Sequence, residues 1–509
     1  MTEDPIPHVP VAIVGAGPTG VVAATLLAQH GVECTLLDRW PGVYPQPRAV
    51  HLDDEIYRIL ARLGIADEFA AISRPTLGLR LLDKDFTVLG EFHRDPSRGA
   101  NGFPQANMFD QPELETLLRA NLKRYPDAVL RGNAEVGEVR VGAHRSRVTF
   151  VDRTDHSTHL IDADYVLGCD GAKSLVRDRI GSTMRDLGFH QRWLVADVAA
   201  DAELHQWDGV HQVCDPVRAG TYMRIGAGRY RWEFRLLAGE SADDFGTLDA
   251  LRPLIEPWTG ELGNDELTLL RVTEYTFRAQ IADRWRVGNV FILGDAAHLT
   301  PPFIGQGLGA GVRDAANLAW KIAGVRHGTL TADVLDSYER ERKPHARHMI
   351  RLALGVGRAM TGGGRAGDAA RRVVLPGLRL IPGVRSKVVD STTPALRSSA
   401  LVCRSHGLRR LAGTLCPNPL LANGRRLDEM LGASFGLISA APVDAPTEAT
   451  LHRRGIVVLI AEPESALWAW LRRGHATAAL VRPDRTVARA GRDAAVLCAW
   501  ACTVVHPTA

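Results

Sequence analysis

The sequence predicts an α/β protein. A parallel sheet is interrupted by an antiparallel sheet and followed by a smaller third unit. Three stretches predict this. Residues 11–14 are a short apolar run that enters Gly15-Ala16-Gly17-Pro18-Thr19-Gly20, a GxGxxG turn. Residues 164–169 enter Asp170-Gly171, and residues 290–293 enter Gly294-Asp295. Each run has the look of a buried parallel strand. Each ends where a glycine lets backbone approach a ligand, or where a carboxylate can meet one.

Composition bounds the rest. At 509 residues the chain exceeds one ordinary core, so two or three domains are expected. Hydrophobic content of 45% and charged content of 23% fit a soluble globular protein. A net charge of +3 on 61 basic and 58 acidic residues is too balanced for a nucleic-acid binder. The seven cysteines are scattered, with no CxxC, which argues for a reducing compartment and a cytoplasmic location, with no disulfide framework or metal site. No signal peptide is visible. Residues 11–28 are apolar, but Gly15, Gly17, Pro18 and Gly20 make them a strand, turn and helix rather than a membrane span.

In chain order, residues 21–30 are the helix after the first turn and residues 34–37 the second strand. That strand ends at Asp38, 18 residues after Gly20, where a Rossmann-like fold places the acid that holds a ribose hydroxyl. Arg48 precedes a helix over 53–63 and is a candidate for a phosphate or flavin edge; the competing reading is a surface arginine. Alternation over 76–93 carries the chain into a second sheet. Residues 108–118 read as loop, then helix, with Gln111 at its start. Strands are expected at 128–131, 138–141, 148–151 and 159–161. After Asp170, Ser174 and Arg177 can hold a pyrophosphate or meet a nicotinamide cofactor.

From 193 to 272 the chain alternates, with strands at 221–225 and 229–236, as an antiparallel roof over a substrate. Arg218, Tyr222 and Arg224 lie here, and an arginine there can take a carboxylate in a two-pronged contact. Residues 290–322 then give strand, Gly294-Asp295, a loop with Pro301, Pro302, Phe303, Gly305 and Gly307, and a helix beginning near Gly309. The loop's backbone N–H groups and the helix dipole suit the edge of a flavin ring. A helix over 338–354, a Gly-, Pro- and Arg-rich connector and a third unit from 401 complete the chain.

The three motifs, in this order, resemble the class A flavoprotein aromatic hydroxylases, those of the para-hydroxybenzoate hydroxylase fold. Residues 46–55 (QPRAVHLDDE), 193–198 (WLVADV), 214–218 (CDPVR), 335–342 (LDSYERER) and 480–488 (LVRPDRTVA) are similar to the 3-(3-hydroxyphenyl)propionate hydroxylases among them. The resemblance covers essentially the whole chain. It implies a Rossmann-like FAD-binding domain (1–75, 105–185 and 285–360) with an inserted antiparallel-sheet substrate domain (76–104 and 186–284). A connector (361–400) and a C-terminal thioredoxin-like domain (401–509) follow. Without CxxC, that last domain is expected to be structural or dimerising, in a monomer or homodimer.

Residue by residue, the resemblance implies that Gly15, Gly17 and Gly20 pack on the FAD pyrophosphate and that Asp38 holds the adenosine ribose. Arg48 and Gln111 contact FAD near the pyrophosphate and ribityl chain. Asp170 supports FAD and the NAD(P)H encounter, and Gly294-Asp295 takes the ribityl or pyrophosphate region. Gly307, Leu308 and Gly309 face the flavin pyrimidine edge. Pro301 and Pro302 flank the place where substrate meets flavin, and Phe303 shapes an apolar pocket.

The function implied is hydroxylation of a phenolic ring with FAD, NADPH or NADH and O2, through a flavin C4a-hydroperoxide. The expected substrate is a small aromatic acid like 3-(3-hydroxyphenyl)propionate, with Arg218 or Arg224 as its carboxylate partner. His51 is the candidate base for the phenol; a packed loop histidine is the competing reading. The tyrosine pair that activates substrate in para-hydroxybenzoate hydroxylase has no counterpart that can be placed. Rival functions are hydroxylation of a larger polyketide-type aromatic, another flavin chemistry (no Trp-x-Trp-x-Ile-Pro halogenase signature is present), and FAD binding without catalysis.

Overall fold

A computed structural model describes residues 6–45, 48–97, 99–362, 393–404 and 411–507. Most of the expected connector, together with Gln46 and Pro47, lies outside the described residues. The first sheet orders its strands Arg286–Val287, Val290–Ile292, Thr158–Gly168, His8–Val14, Cys34–Leu37 and Ala128–Arg131. The four pairings from Val290–Ile292 to Ala128–Arg131 are parallel. All three motif strands therefore end at the same edge, which is where an open α/β sheet binds its ligand. Val11, Ala12, Ile13, Val290, Phe291 and Ile292 are fully buried, as strands covered on both faces must be.

Helices Pro18–Gln29 and Gly307–Arg326 pack against this sheet and against each other. Glycine lets them close. A Cβ on Gly311 would lie 2.3 Å from Thr19 Oγ1 and 3.1 Å from Gly294 Cα. The small residues of 307–319 are thus needed for contact between backbones, beyond their helical spacing.

The second sheet runs His298–Leu299, Leu267–Ala282, Met184–Ala200, Arg229–Arg235, Gly220–Arg224, Val210–Val213, Gly78–Leu82 and Val88–His93. Only its Val210–Val213 and Gly78–Leu82 pair is parallel. One face is a hydrophobic core of Leu194, Ala196, Tyr222, Tyr230, Trp232 and Phe234 against Leu251, Ile255 and Trp258 of helix Leu248–Thr259. The other face turns toward the first sheet.

Two expectations change. Residues 159–161 and 164–169 are one strand, Thr158–Gly168, because its first half pairs antiparallel with Ser146–Asp152 and its second half parallel with His8–Val14. Residues 106–109 form a strand, not a loop, held between His51–Asp53 and Ser73–Pro75. The C-terminal unit has a four-stranded sheet in the order Ile456–Ile460, Phe435–Ser439, Ala478–Val481, Val487–Gly491. Its first pair is parallel and the other two antiparallel.

Candidate active site

The first turn is shaped for backbone contact. Gly15 has φ +98, and a Cβ there would lie 2.5 Å from Cys169 O. A Cβ on Gly20 would lie 2.0 Å from Gly15 O, while Gly17 faces open space. Helix Pro18–Gln29 starts there without a side-chain cap, so its first N–H groups point outward. Asp38 braces the turn: Oδ2 accepts from Ala16 N at 2.7 Å and Oδ1 from Trp40 N at 2.9 Å. Arg119 adds a bond to Ala16 O at 3.1 Å and lies 3.7 Å from Asp38. The sequence reading missed Arg119, which carries no motif.

Gln111 Oε1 accepts from Arg48 N (3.1 Å) and Ala49 N (2.7 Å), and its Nε2 donates to Glu115. It fixes the Arg48 loop, leaving the exposed Arg48 guanidinium over the Tyr44 ring. Asp170 accepts from Ser174 Oγ (2.5 Å) and Val176 N (3.0 Å), so its carboxylate organises the turn after Gly168. The Arg177 head group is not on the surface. It donates to Ala172 O and Ala296 O, joining the second and third motif loops.

Asp295 differs from the other two acids. Its carboxylate takes no hydrogen bond from the described residues, and burial pushes its pKa up against the pull of His298 and Arg48. A half-buried carboxylate left open in this way fits the hydroxyls of a ribityl chain. Behind it lies a network the sequence reading missed. Asp314 Oδ2 accepts from Gly294 N (3.0 Å) and His298 Nε2 (2.8 Å), and Oδ1 accepts from Arg342 Nε (2.8 Å). The signal was there: an acid on the buried face of an alanine-rich helix.

Pro301 is buried, and Pro302–Ile304 is a single tight turn closed by Gly305 at φ +60. Phe303 meets Trp193 and Phe189 edge to face, at 6.2 and 5.5 Å between centroids. Helix Gly307–Arg326 starts at Gln306, again with no side-chain cap. A Cβ on Gly307 would meet nothing within 4 Å, whereas one on Gly309 would press on Arg313 and Ile56. Leu308 is half-buried against the main core. His51 stands beside the loop: a Cβ on Gly305 would lie 2.8 Å from its Nδ1, which has no hydrogen-bond partner among the described residues. Burial pushes its pKa down against the pull of Asp53, so it is neutral.

The structure places three of the expected substrate residues, Arg218, Tyr222 and Arg224, away from the flavin loop. Tyr222 is 2% exposed and packs into the far-side core against Tyr230, Trp232 and Trp258. Arg224 shares that strand phase and pairs with Glu203. Arg218 pairs through both terminal nitrogens with Glu240. Strand alternation turns Tyr222 and Arg224 away from the flavin loop, Arg218 lies in the bend before that strand over the Phe245 ring, and carboxylates of this chain occupy both guanidiniums.

Across residues 8–353 the chain matches the model of the FAD binding domain family. It is 35% identical to 3-(3-hydroxy-phenyl)propionate/3-hydroxycinnamic acid hydroxylase 2 of Burkholderia vietnamiensis (strain G4 / LMG 22486), over 84% of this chain and 78% of the relative. The chain belongs to the FAD-binding family of flavin-dependent aromatic hydroxylases. A second relative from this family is a probable NADH-specific resorcinol 4-hydroxylase of Rhodococcus jostii (strain RHA1), 30% identical over 98% of this chain and 95% of the relative.

The family's fold is recognisable in solved structures. The flavin-dependent monooxygenase PieE, in complex with FAD and substrate, superposes with a TM-score of 0.81 at 23% identity, over 96% of both chains. Aklavinone-11 hydroxylase, with FAD and aklavinone, does so with a TM-score of 0.79 at 24% identity, over 97% of this chain and 98% of that one. The cofactor the family binds fits what this chain offers: two uncapped helix starts, an open turn at Gly17 and the unpartnered Asp295 on one wall.

Proposed function

We propose that this protein is a monooxygenase that uses FAD, NADH and O2 to hydroxylate a single-ring phenol. The observation that carries the reading is the pairing of that wall with a sheet face that mixes apolar side chains (Trp193, Val195, Met223) with buried charged ones (Asp197, Arg231, Glu233). Asp295 and the loop of Pro301, Pro302 and Phe303 lie on one side, and Trp193 and Met223 of the second sheet close the other. Bound FAD supplies the redox chemistry, taking two electrons from NADH and activating O2. The chain's own residues do the rest. Gly15, Gly17 and Gly20 bring backbone N–H groups to the pyrophosphate, Asp38 and Asp295 face the sugar and ribityl hydroxyls, and Arg48 lies over the approach. The start of helix Gly307–Arg326 would set its positive end against negative charge on the bound flavin. Phe189, Trp193 and Phe303 exclude water.

NADH is chosen because the full-length relative named for resorcinol is named NADH-specific. Seven free cysteines support work in a reducing cytoplasm. The test is NADH oxidation by the FAD-loaded protein with resorcinol and with 3-(3-hydroxyphenyl)propionate, following hydrogen peroxide and product mass together. Stimulated oxidation with a product one oxygen heavier is expected. Peroxide alone with both compounds overturns the single-ring reading and points to a larger aromatic.

A further inference from the structure

With Arg218, Tyr222 and Arg224 turned away, the sheet face that meets the flavin wall has to hold the substrate by other groups. Tyr230, Trp232 and Phe234 point into the far-side core, so Arg231 and Glu233 point toward the flavin wall. Val195 and Thr221 stand directly across from Glu233 on the neighbouring strands. This row lies between two contacts with the first sheet's loops. On one side Met223 packs with Val50 and Met108, and Arg231 Nη1 donates to Arg48 O at 3.3 Å. On the other, Trp193 meets Phe303.

Polar groups around Glu233 are already engaged. Thr221 Oγ1 donates to Gln212 Oε1 at 2.8 Å, and Gln212 Nε2 donates to Gly220 O at 3.0 Å. Asp197 takes Arg231 at 2.6 and 3.0 Å and Arg271 at 3.0 Å. Glu233 is 8% exposed as a residue, and its carboxylate accepts no hydrogen bond from the described residues. Burial pushes its pKa up, with Arg231 and Arg271 opposing and Asp197 adding to the rise. A largely buried carboxylate that takes no donor from its own chain is open to one supplied by a ligand.

We infer that Glu233 holds the substrate's reacting hydroxyl, accepting its O–H hydrogen bond while the ring lies between Val50 and Phe303. This rests on the phenol-hydroxylase reading above. A hydroxyl bonded to a carboxylate gives electron density to the ring carbons ortho and para to it, which are the carbons that take oxygen. The overall change balances without Glu233: phenol, O2, NADH and H+ give diol, water and NAD+. The carboxylate also orients the substrate, because a substrate carboxylate cannot lie against it. The acid group of a phenylpropionate points to the opposite end of the cavity.

The test compares Glu233→Gln and Glu233→Asp with the wild type, all loaded with FAD, on a series of phenols of falling pKa. The Gln variant is expected to retain FAD and to lose about 100-fold in hydroxylation rate on the least acidic phenols. Its deficit shrinks as the phenol becomes acidic enough to ionise unaided, and Asp restores part of the rate. A purely structural role would give a deficit independent of phenol pKa. That result, or a Gln variant as fast as wild type, overturns the assignment of Glu233 alone. Should Gln fail to fold, the same series is read on Asp, where a pKa-independent deficit overturns it equally. A wild-type enzyme that hydroxylates no phenol overturns both this and the functional reading.

Discussion

His298 Nε2 donates to Asp314 Oδ2 across 2.8 Å, and the same oxygen takes the Gly294 N–H. A strand end, the loop after it and the helix behind it are thereby joined at one buried atom. Arg342 neutralises the carboxylate from the other side at 2.8 Å. Burial raises the Asp314 pKa, but His298 and Arg342 outweigh it and hold the group ionised. Asp314→Asn keeps the shape and removes the charge. FAD affinity is expected to fall by at least tenfold, because Gly294-Asp295 loses its anchor. Fluorescence titration of apoprotein with FAD measures it, and an unchanged Kd sinks the role.

Gly17 and Gly20 separate binding from folding. A Cβ at position 20 would overlap the Gly15 carbonyl at 2.0 Å, so Gly20→Ala is expected to lower Tm even in apoprotein. A Cβ at position 17 meets no protein atom within 4 Å. Gly17→Ala should leave apoprotein Tm unchanged and weaken FAD binding, since the methyl group enters the space proposed for the pyrophosphate. Equal effects of both substitutions on apoprotein would contradict this placement.

His51 is neutral and touches the Gly305 turn, so it can act on the substrate side without holding FAD. His51→Ala is expected to retain stoichiometric FAD while the fraction of NADH that ends in hydroxylated product falls. Stopped-flow turnover with peroxide detection reads this directly, and full coupling in the variant removes His51 from the chemistry.

Arg218→Ala and Arg224→Ala should leave KM for 3-(3-hydroxyphenyl)propionate within about twofold of wild type. Each arginine is only partly buried and paired with a chain carboxylate, and such pairs contribute roughly 0–1 kcal/mol. A tenfold rise in KM for either variant would return it to the substrate site.

The elements of the proposed cofactor wall were legible in the sequence because each is local: strand, turn and helix start are contiguous at 11–29, 164–179 and 290–326. The substrate face was not. It depends on the phase of the strands at 220–224 and 229–235, and a shift of one residue exchanges Tyr222 for Thr221 and Trp232 for Glu233. Tyr222 was expected beside the substrate, whereas helix Leu248–Thr259 claims it for a core. That helix was itself obscured by Pro253 and Pro257 inside it. Arg119 acts across a long sequence separation, so no local pattern marks it.

The C-terminal unit is held by charges that no spacing rule reveals. Glu341, fully buried on helix Ser337–Thr361, accepts from Arg482 at 2.8 and 3.0 Å, from Lys321 at 2.9 Å and from Asn317 at 2.8 Å. Burial alone would raise its pKa, but Arg482 and Lys321 outweigh it and hold the carboxyl well below the usual range. A group depressed in this way stabilises the fold above its unfolded pKa, and that contribution is lost as pH falls toward the folded value. Lowering pH from 6 to 3 should therefore lower wild-type Tm more steeply than that of Glu341→Gln, which has no proton to take up. At neutral pH the variant leaves two buried cations short of a partner, at a cost of roughly 3–5 kcal/mol. Calorimetry across that pH range checks both, and parallel Tm curves for the two proteins would mean that Glu341 is not the coupling carboxylate.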